Sequence, residues 1–336
     1  MELADLGGPS ISHLPVPRNR LGGSEEVPKR PDSPASAEAR FKHVLFRGAI
    51  SIPGERKKPE AAPRPERPPA LPRSGTNADA ATLFLRRILM QAGLNPLLYR
   101  TPPLVRRLPA CLRALRVETC AAAEQLLAAK PALIYHALES LLIGTTELFR
   151  DAAVFTELEE HVLPTLLQRP ARPRVWSAGC SEGAELYSVA ILLAKLGGLD
   201  GSHLLGSDCR RDAIERAKRG VYFPGDRELP VTASRHWQEL ADGRIVMSHE
   251  IRQTLQWEQA DLLAPRAAGT WDLILCRNLA IYLEPVAAEV LWSRLADALA
   301  PGGFLIVGKA EKPRLSCLRR VAPSIYCKCT SLPTSS

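Results

Sequence analysis

Arg174-Val175-Trp176-Ser177-Ala178-Gly179-Cys180-Ser181-Glu182-Gly183-Ala184-Glu185-Leu186-Tyr187-Ser188 is the stretch that decides the fold. Its first five residues form a short apolar strand, and two glycines open a loop. Apolar residues then continue at helical density from Ala184 to Leu196, with Glu185 in the first turn. A strand passing through a glycine loop into a helix is half of a βαβ unit, and such units build parallel sheets.

The pattern repeats downstream. Leu204–Ser207 predicts a strand and Asp212–Arg219 a helix. Trp257–Ala260 and Trp271–Cys276 predict strands. Pro285–Leu299 predicts a helix closed by Pro301-Gly302-Gly303, with a strand at Phe304–Val307. The fold class expected is α/β, a doubly wound sheet with helices on both faces. The alternation lapses between Gly220 and Gln256, where Asp242-Gly243 predicts a hairpin turn into an antiparallel strand at Arg244–Met247.

Upstream of the glycine loop, Ala153–Leu167 predicts a bridging helix. Residues 77–150 carry leucines near the 3.6-residue period, broken by prolines 96, 102, 103, 109 and 131, which predicts a small domain of several short helices. Residues 1–75 hold 13 of the 29 prolines among charged runs, so residues 1–76 are read as a disordered leader and 331–336 as a tail. The α/β domain is placed at 151–330, with a small insert at about 221–256. A chain starting near Asn77 is expected to fold.

No apolar run is long enough to cross a bilayer and no secretory signal is visible, so a cytoplasmic monomer without membrane insertion is expected. Six of the eight cysteines stand alone and Cys327 with Cys329 makes a C-x-C, which excludes a zinc motif. Of the net charge of +8, residues 81–150 carry nine Arg/Lys against four Glu, a local +5. A basic face suits nucleic acid, anionic lipid or an acidic protein alike, and charge does not choose among them.

Ligands of an open parallel sheet sit at the carboxyl ends of its strands. Those ends read Gly179–Gly183, Gly206-Ser207-Asp208, Ala260-Asp261-Leu262 and Cys276-Arg277-Asn278. The loop spacing G-x3-G fits neither a dinucleotide fingerprint nor a P-loop. Asp208 is placed to accept from ribose hydroxyls, with a helix cap as its structural alternative, and Asp261 to accept from an adenine amine. Glu185 suits an ammonium group, or simply a helix first turn. A nucleoside ligand without diphosphate points to S-adenosylmethionine (S-adenosyl-L-methionine) over a nicotinamide cofactor.

Trp176 to Ser188, Asp272 to Leu283 and Thr145-Thr146-Glu147-Leu148-Phe149-Arg150-Asp151 together resemble the chemoreceptor glutamate methyltransferases (CheR), in the same order over about 250 residues. The resemblance implies a seven-stranded methyltransferase fold and a small helical N-terminal domain facing the substrate, with S-adenosylmethionine bound between them. It implies a cofactor set of Thr146, Arg150, Gly179, Glu185, Asp208, Asp261, Leu262, Cys276 and Arg277, with Arg150, Arg277 and Tyr282 near the methyl-transfer site. The reaction implied forms methyl esters on glutamates of an acidic signalling protein, such as a chemoreceptor methylation helix, and no nucleic acid. Such a helix would meet Arg106, Arg113 and Arg116 if Pro109 leaves their helix continuous; a solvated face is the alternative. Gly144, Ala184 and Asp261 depart from the family's usual Asn, acid and Asn, and motivate one rival, a non-catalytic sensor or scaffold that binds the same cofactor. The segment 221–256 looks too compact for the family's receptor-tethering β-subdomain.

Overall fold

The computed structural model describes residues 75–142, 147–223, 235–264 and 269–330. A seven-stranded sheet has the order β6-β2-β1-β7-β8-β10-β9. Its strands are β1 (Arg174–Ala178), β2 (His203–Asp208), β6 (Leu255–Gln259), β7 (Trp271–Cys276), β8 (Leu299–Val307), β9 (Leu318–Ala322) and β10 (Ile325–Lys328). From β6 through β8 neighbouring strands run parallel, while β10 is antiparallel to both β8 and β9. The chain leaves β1 toward β2 and β6, then returns to pair β7 on the other side of β1. That reversal is the switch point where a ligand crevice opens.

Both faces of the sheet are covered, and alternation along each strand feeds two separate cores. In β7, Leu273 and Leu275 enter one cluster while Ile274 and Cys276 enter the other; Phe304 and Ile306 alternate likewise with Leu305 and Val307 in β8. Helix Ala184–Lys195 (called α7 in chain order below) packs on the first face with nine fully or nearly fully buried residues. Helix Pro285–Ala298 (α10) covers the second face through Leu291, Trp292 and Leu295.

The N-terminal domain holds α1 (Gly75–Gln91), α2 (Thr101–Ala114), α3 (Cys120–Ala129) and α4 (Leu133–Leu141) around Phe84, Leu85, Ile88, Cys111 and Leu138. Pro109 lies inside α2 without ending it, so Arg106 and Arg113 share one helical face, two turns apart and both exposed. Arg116 does not join them. It lies past the helix end at φ +57.

The bridging helix is one rod in three parts, α5 (Ala152–Glu157), a π-helical turn (Leu158–Val162) and α6 (Leu163–Leu167). The remaining helices are α8 (Arg211–Arg219) and α9 (His249–Arg252). Two expectations change. Pro301-Gly302-Gly303 is not a loop after α10 but part of β8, which starts at Leu299. The insert is more than a tight turn: β3 (Val221–Tyr222), β5 (Ile245–Met247) and β4 (Trp237–Glu239) form a three-stranded antiparallel sheet. The Asp242-Gly243 hairpin is present, with Gly243 at φ +79. No helix among the described residues is long and apolar enough to cross a membrane.

Candidate active site

A crevice opens at the carboxyl ends of β1, β2, β6 and β7. Arg150, Gly179, Glu185, Asp208, Asp261, Leu262, Arg277 and Tyr282 line it. Eight of the expected residues thus meet at one place. Thr146 and Gly144 fall outside the described residues. Cys276 does not line the crevice; its side chain is wholly buried in the second core beneath it. Arg106 and Arg113 lie away from the lining, on the exposed face of α2.

The glycine loop is shaped by its backbone. Gly179 and Gly183 sit at φ +76 and +85, and Ser181 joins them at +53. A Cβ on Gly179 would come within 2.8 Å of Leu279, so a side chain there would fill the space between the loop and the β7 end. The N–H groups of Gly179 and Cys180 both donate to Ser207 O, which pins the loop to β2. At the helix start the two adjacent positions part company. Ala184 is buried in the first core, whereas Glu185 turns to the crevice.

Glu185 is held from two sides. Its Oε1 accepts from Ser177 Oγ at 3.0 Å, and its Oε2 from Arg277 Nη1 at 3.1 Å. Arg277 also donates to Asp151 Oδ2 at 2.6 Å and to Arg150 O at 3.0 Å, and its guanidinium lies over the Phe155 ring. Only 4% of its side chain is exposed. Arg277 thus orients Glu185 and fastens the junction. The junction is itself strained into place: Phe149 and Asp151 have φ of +53 and +62, and Phe149 N donates to Ser188 Oγ at 2.9 Å.

Asp208 is the most heavily engaged group. Its Oδ2 accepts from Ser181 N at 2.9 Å and Arg210 Nη2 at 3.1 Å; its Oδ1 accepts from Arg210 N at 2.9 Å and Arg210 Nε at 3.0 Å. Those four bonds match the carboxylate's acceptor capacity. Arg210 also donates to Leu142 O at 2.7 Å, so one buried guanidinium links the end of α4 to the Asp208 end of the crevice. The two-residue spacing Asp208-Cys209-Arg210 held this signal, but it reads from sequence only as a charge pair.

Glu311 is the functional group that sequence reasoning missed. It is buried, and its carboxylate accepts from Asn278 N at 2.9 Å, Ala280 N at 2.8 Å and Gly308 N at 2.7 Å. Burial lifts its pKa above the usual carboxylate range, and the backbone donors only partly offset that. It organises the loop between Arg277 and Tyr282, with Asn278 at φ +61. Its distance in sequence from β7 hid this role.

The arrangement offers a bare glycine backbone, an oriented half-buried carboxylate and two acidic strand ends, with no histidine or lysine in the lining among the described residues. That set fits a nucleoside bearing an amino-acid chain, the shape of S-adenosylmethionine. Residues 144–319 match the family described as CheR methyltransferase, SAM binding domain, which is over half of the 336 residues. The chain belongs to the CheR methyltransferase family. A chemotaxis protein methyltransferase of Listeria monocytogenes is 28% identical over 68% of this chain and 88% of its own length. Chemotaxis protein methyltransferase 1 of Pseudomonas aeruginosa is 30% identical over 52% and 68%, and a Vibrio anguillarum chemotaxis protein methyltransferase is 28% identical over 52% and 67%. The CheR-family chain is a methyltransferase with S-adenosylmethionine as cofactor. A non-catalytic sensor is not favoured, since the matched family and these relatives are methyltransferases by name.

Proposed function

We propose that this chain transfers the methyl group of S-adenosylmethionine to glutamate carboxylates of an acidic signalling protein of the chemoreceptor type, making methyl esters. One observation carries the reading: among the described residues the crevice lining has no histidine or lysine to serve as a base. A glutamate with an ordinary pKa of about 4.3 is already ionised at neutral pH and needs none, whereas an ammonium acceptor does. The cofactor supplies a methyl group on a positively charged sulfur. The protein supplies placement. Glu185, fixed by Ser177 and Arg277, takes the ammonium of the methionine part; Asp208 and Asp261 take the ribose and adenine; Gly179 allows close approach.

Arg150, which lines the crevice, is read as the guide for the incoming carboxylate, and Tyr282 as bordering the transfer site. Ribose hydroxyls reach Asp208 by taking over or sharing bonds now made by the Arg210 fork. Arg106 and Arg113 on α2 receive the acidic substrate. The chemotaxis names of the relatives support a chemoreceptor-like partner, and the reading places the reaction in the cytoplasm.

The test is chemical. Label from methyl-labelled cofactor, transferred to proteins of the host lysate, should be released as volatile methanol by mild alkali. Alkali-stable label would reject the ester and leave the methyltransferase standing.

A further inference from the structure

The family match begins at residue 144, yet the crevice is not closed by residues 144–319 alone. Tyr99, between a 3-10 turn (Pro96–Leu98) and α2, also lines it. Its place is fixed by backbone, not by loose packing. Tyr99 forms an antiparallel bridge with Leu283, Arg100 N donates to Tyr282 O at 2.8 Å, and Glu284 N donates to Leu98 O at 2.9 Å. A short extended piece of the helical domain thus runs beside the loop that carries Tyr282. Its ring packs against both the helical core and the second core of the sheet.

We propose that Tyr99 is a cofactor-contacting residue from outside the matched domain, its ring covering the adenine and its hydroxyl turned to the acidic end of the crevice. This rests on the reading of the crevice as the cofactor site. The neighbours identify which end Tyr99 covers. Cys209 and Asp208 at the end of β2 and Asp261 after β6 line the crevice with Tyr99, and burial, then these groups, raise its phenol above the usual range. An aromatic ring there offers a nucleobase a stacking surface, and the protonated hydroxyl can donate to a carboxylate.

The experiment is calorimetric titration of the full chain with S-adenosylhomocysteine and with methylthioadenosine, which keeps the nucleoside but lacks the amino-acid end. Tyr99→Leu should weaken both ligands by the same factor, about 10-fold, as expected for loss of one stacked base. Tyr99→Phe should stay within about threefold of the parent, since the ring remains. Glu185→Gln should weaken S-adenosylhomocysteine alone. Binding of Tyr99→Leu within twofold of the parent, or a loss confined to S-adenosylhomocysteine, overturns the proposal. If Tyr99→Leu does not fold, Tyr99→Trp replaces it, and no methylthioadenosine-dependent change in its added emission overturns the proposal equally. Should neither Asp208→Ala nor Glu185→Gln change binding, the crevice reading itself fails, a distinct outcome.

Discussion

Asp208 and Arg210 set the terms at the scale of single residues. A carboxylate that already accepts four hydrogen bonds is rigidly aimed, and a ligand hydroxyl gains from that aim only by exchanging with the guanidinium. Asp208→Ala should lower S-adenosylhomocysteine affinity by about 10- to 150-fold, the loss of roughly 1.5–3 kcal/mol. Affinity within twofold would show that the ribose lies elsewhere. If Arg210 acts only through Asp208, adding Arg210→Ala to Asp208→Ala should change affinity little further. On the proposed placement of Tyr282 at the transfer end, Tyr282→Phe should leave affinity unchanged and slow label transfer; equal losses in both would place it on the cofactor. Sequence made Asp208, Asp261 and Glu185 legible because strand ends and a glycine loop are local patterns. It could not show that Arg277 is consumed by Glu185 and Asp151, since those partners lie 92 and 126 residues away.

At the scale of elements, the loop from Arg277 to Tyr282 depends on one buried carboxylate. Glu311 gathers the N–H groups of Asn278, Ala280 and Gly308, so the end of β7 and the end of β8 share a single anion. Glu311→Gln leaves one oxygen to serve these donors and turns an amide toward the rest. Label transfer at saturating cofactor should fall at least about 10-fold, on the scale of a misplaced catalytic loop. Stability should change little at neutral pH, with a midpoint shift under about 4 °C, because burial makes the charged form costly. The sign follows from the raised pKa: its favourable share is complete below the unfolded value and fades as pH rises through the folded one. The stability advantage of the parent over Glu311→Gln should therefore be larger below about pH 4.5 than at pH 7. A pH-independent difference in melts would contradict this. Strands β1 and β7 were legible to the residue because apolar runs met clear punctuation. Strands β9 and β10 were not: Arg319 and Arg320 interrupt β9, which buries only Leu318 and Ala322, and a two-residue strand such as β3 has no periodicity to read.

Across the whole molecule, the two domains meet through bonds that no local pattern announces. Arg216 on α8 pairs with Glu139 on α4 and with Glu182 of the glycine loop at 2.8 Å, and Arg210 holds the last described carbonyl after α4. The family resemblance placed the cofactor between the helical domain and the sheet, but not which helical-domain residues line the crevice, because the 3-10 turn and extended residues before α2 carry no amphipathic signal. The extended piece at Leu98–Arg100, paired by backbone to Tyr282–Glu284, has a practical outcome. Main-chain pairing does not require that the two strands share one polypeptide. Residues 75–143 and 144–336, expressed as separate chains and mixed at micromolar concentration, should co-elute and recover S-adenosylhomocysteine binding that neither half has at full strength. Separate elution, or full affinity in the larger half alone, would show the contact to be passive. With reassembly, the enzyme becomes a split reporter, able to sense the encounter of any two proteins to which its halves are fused.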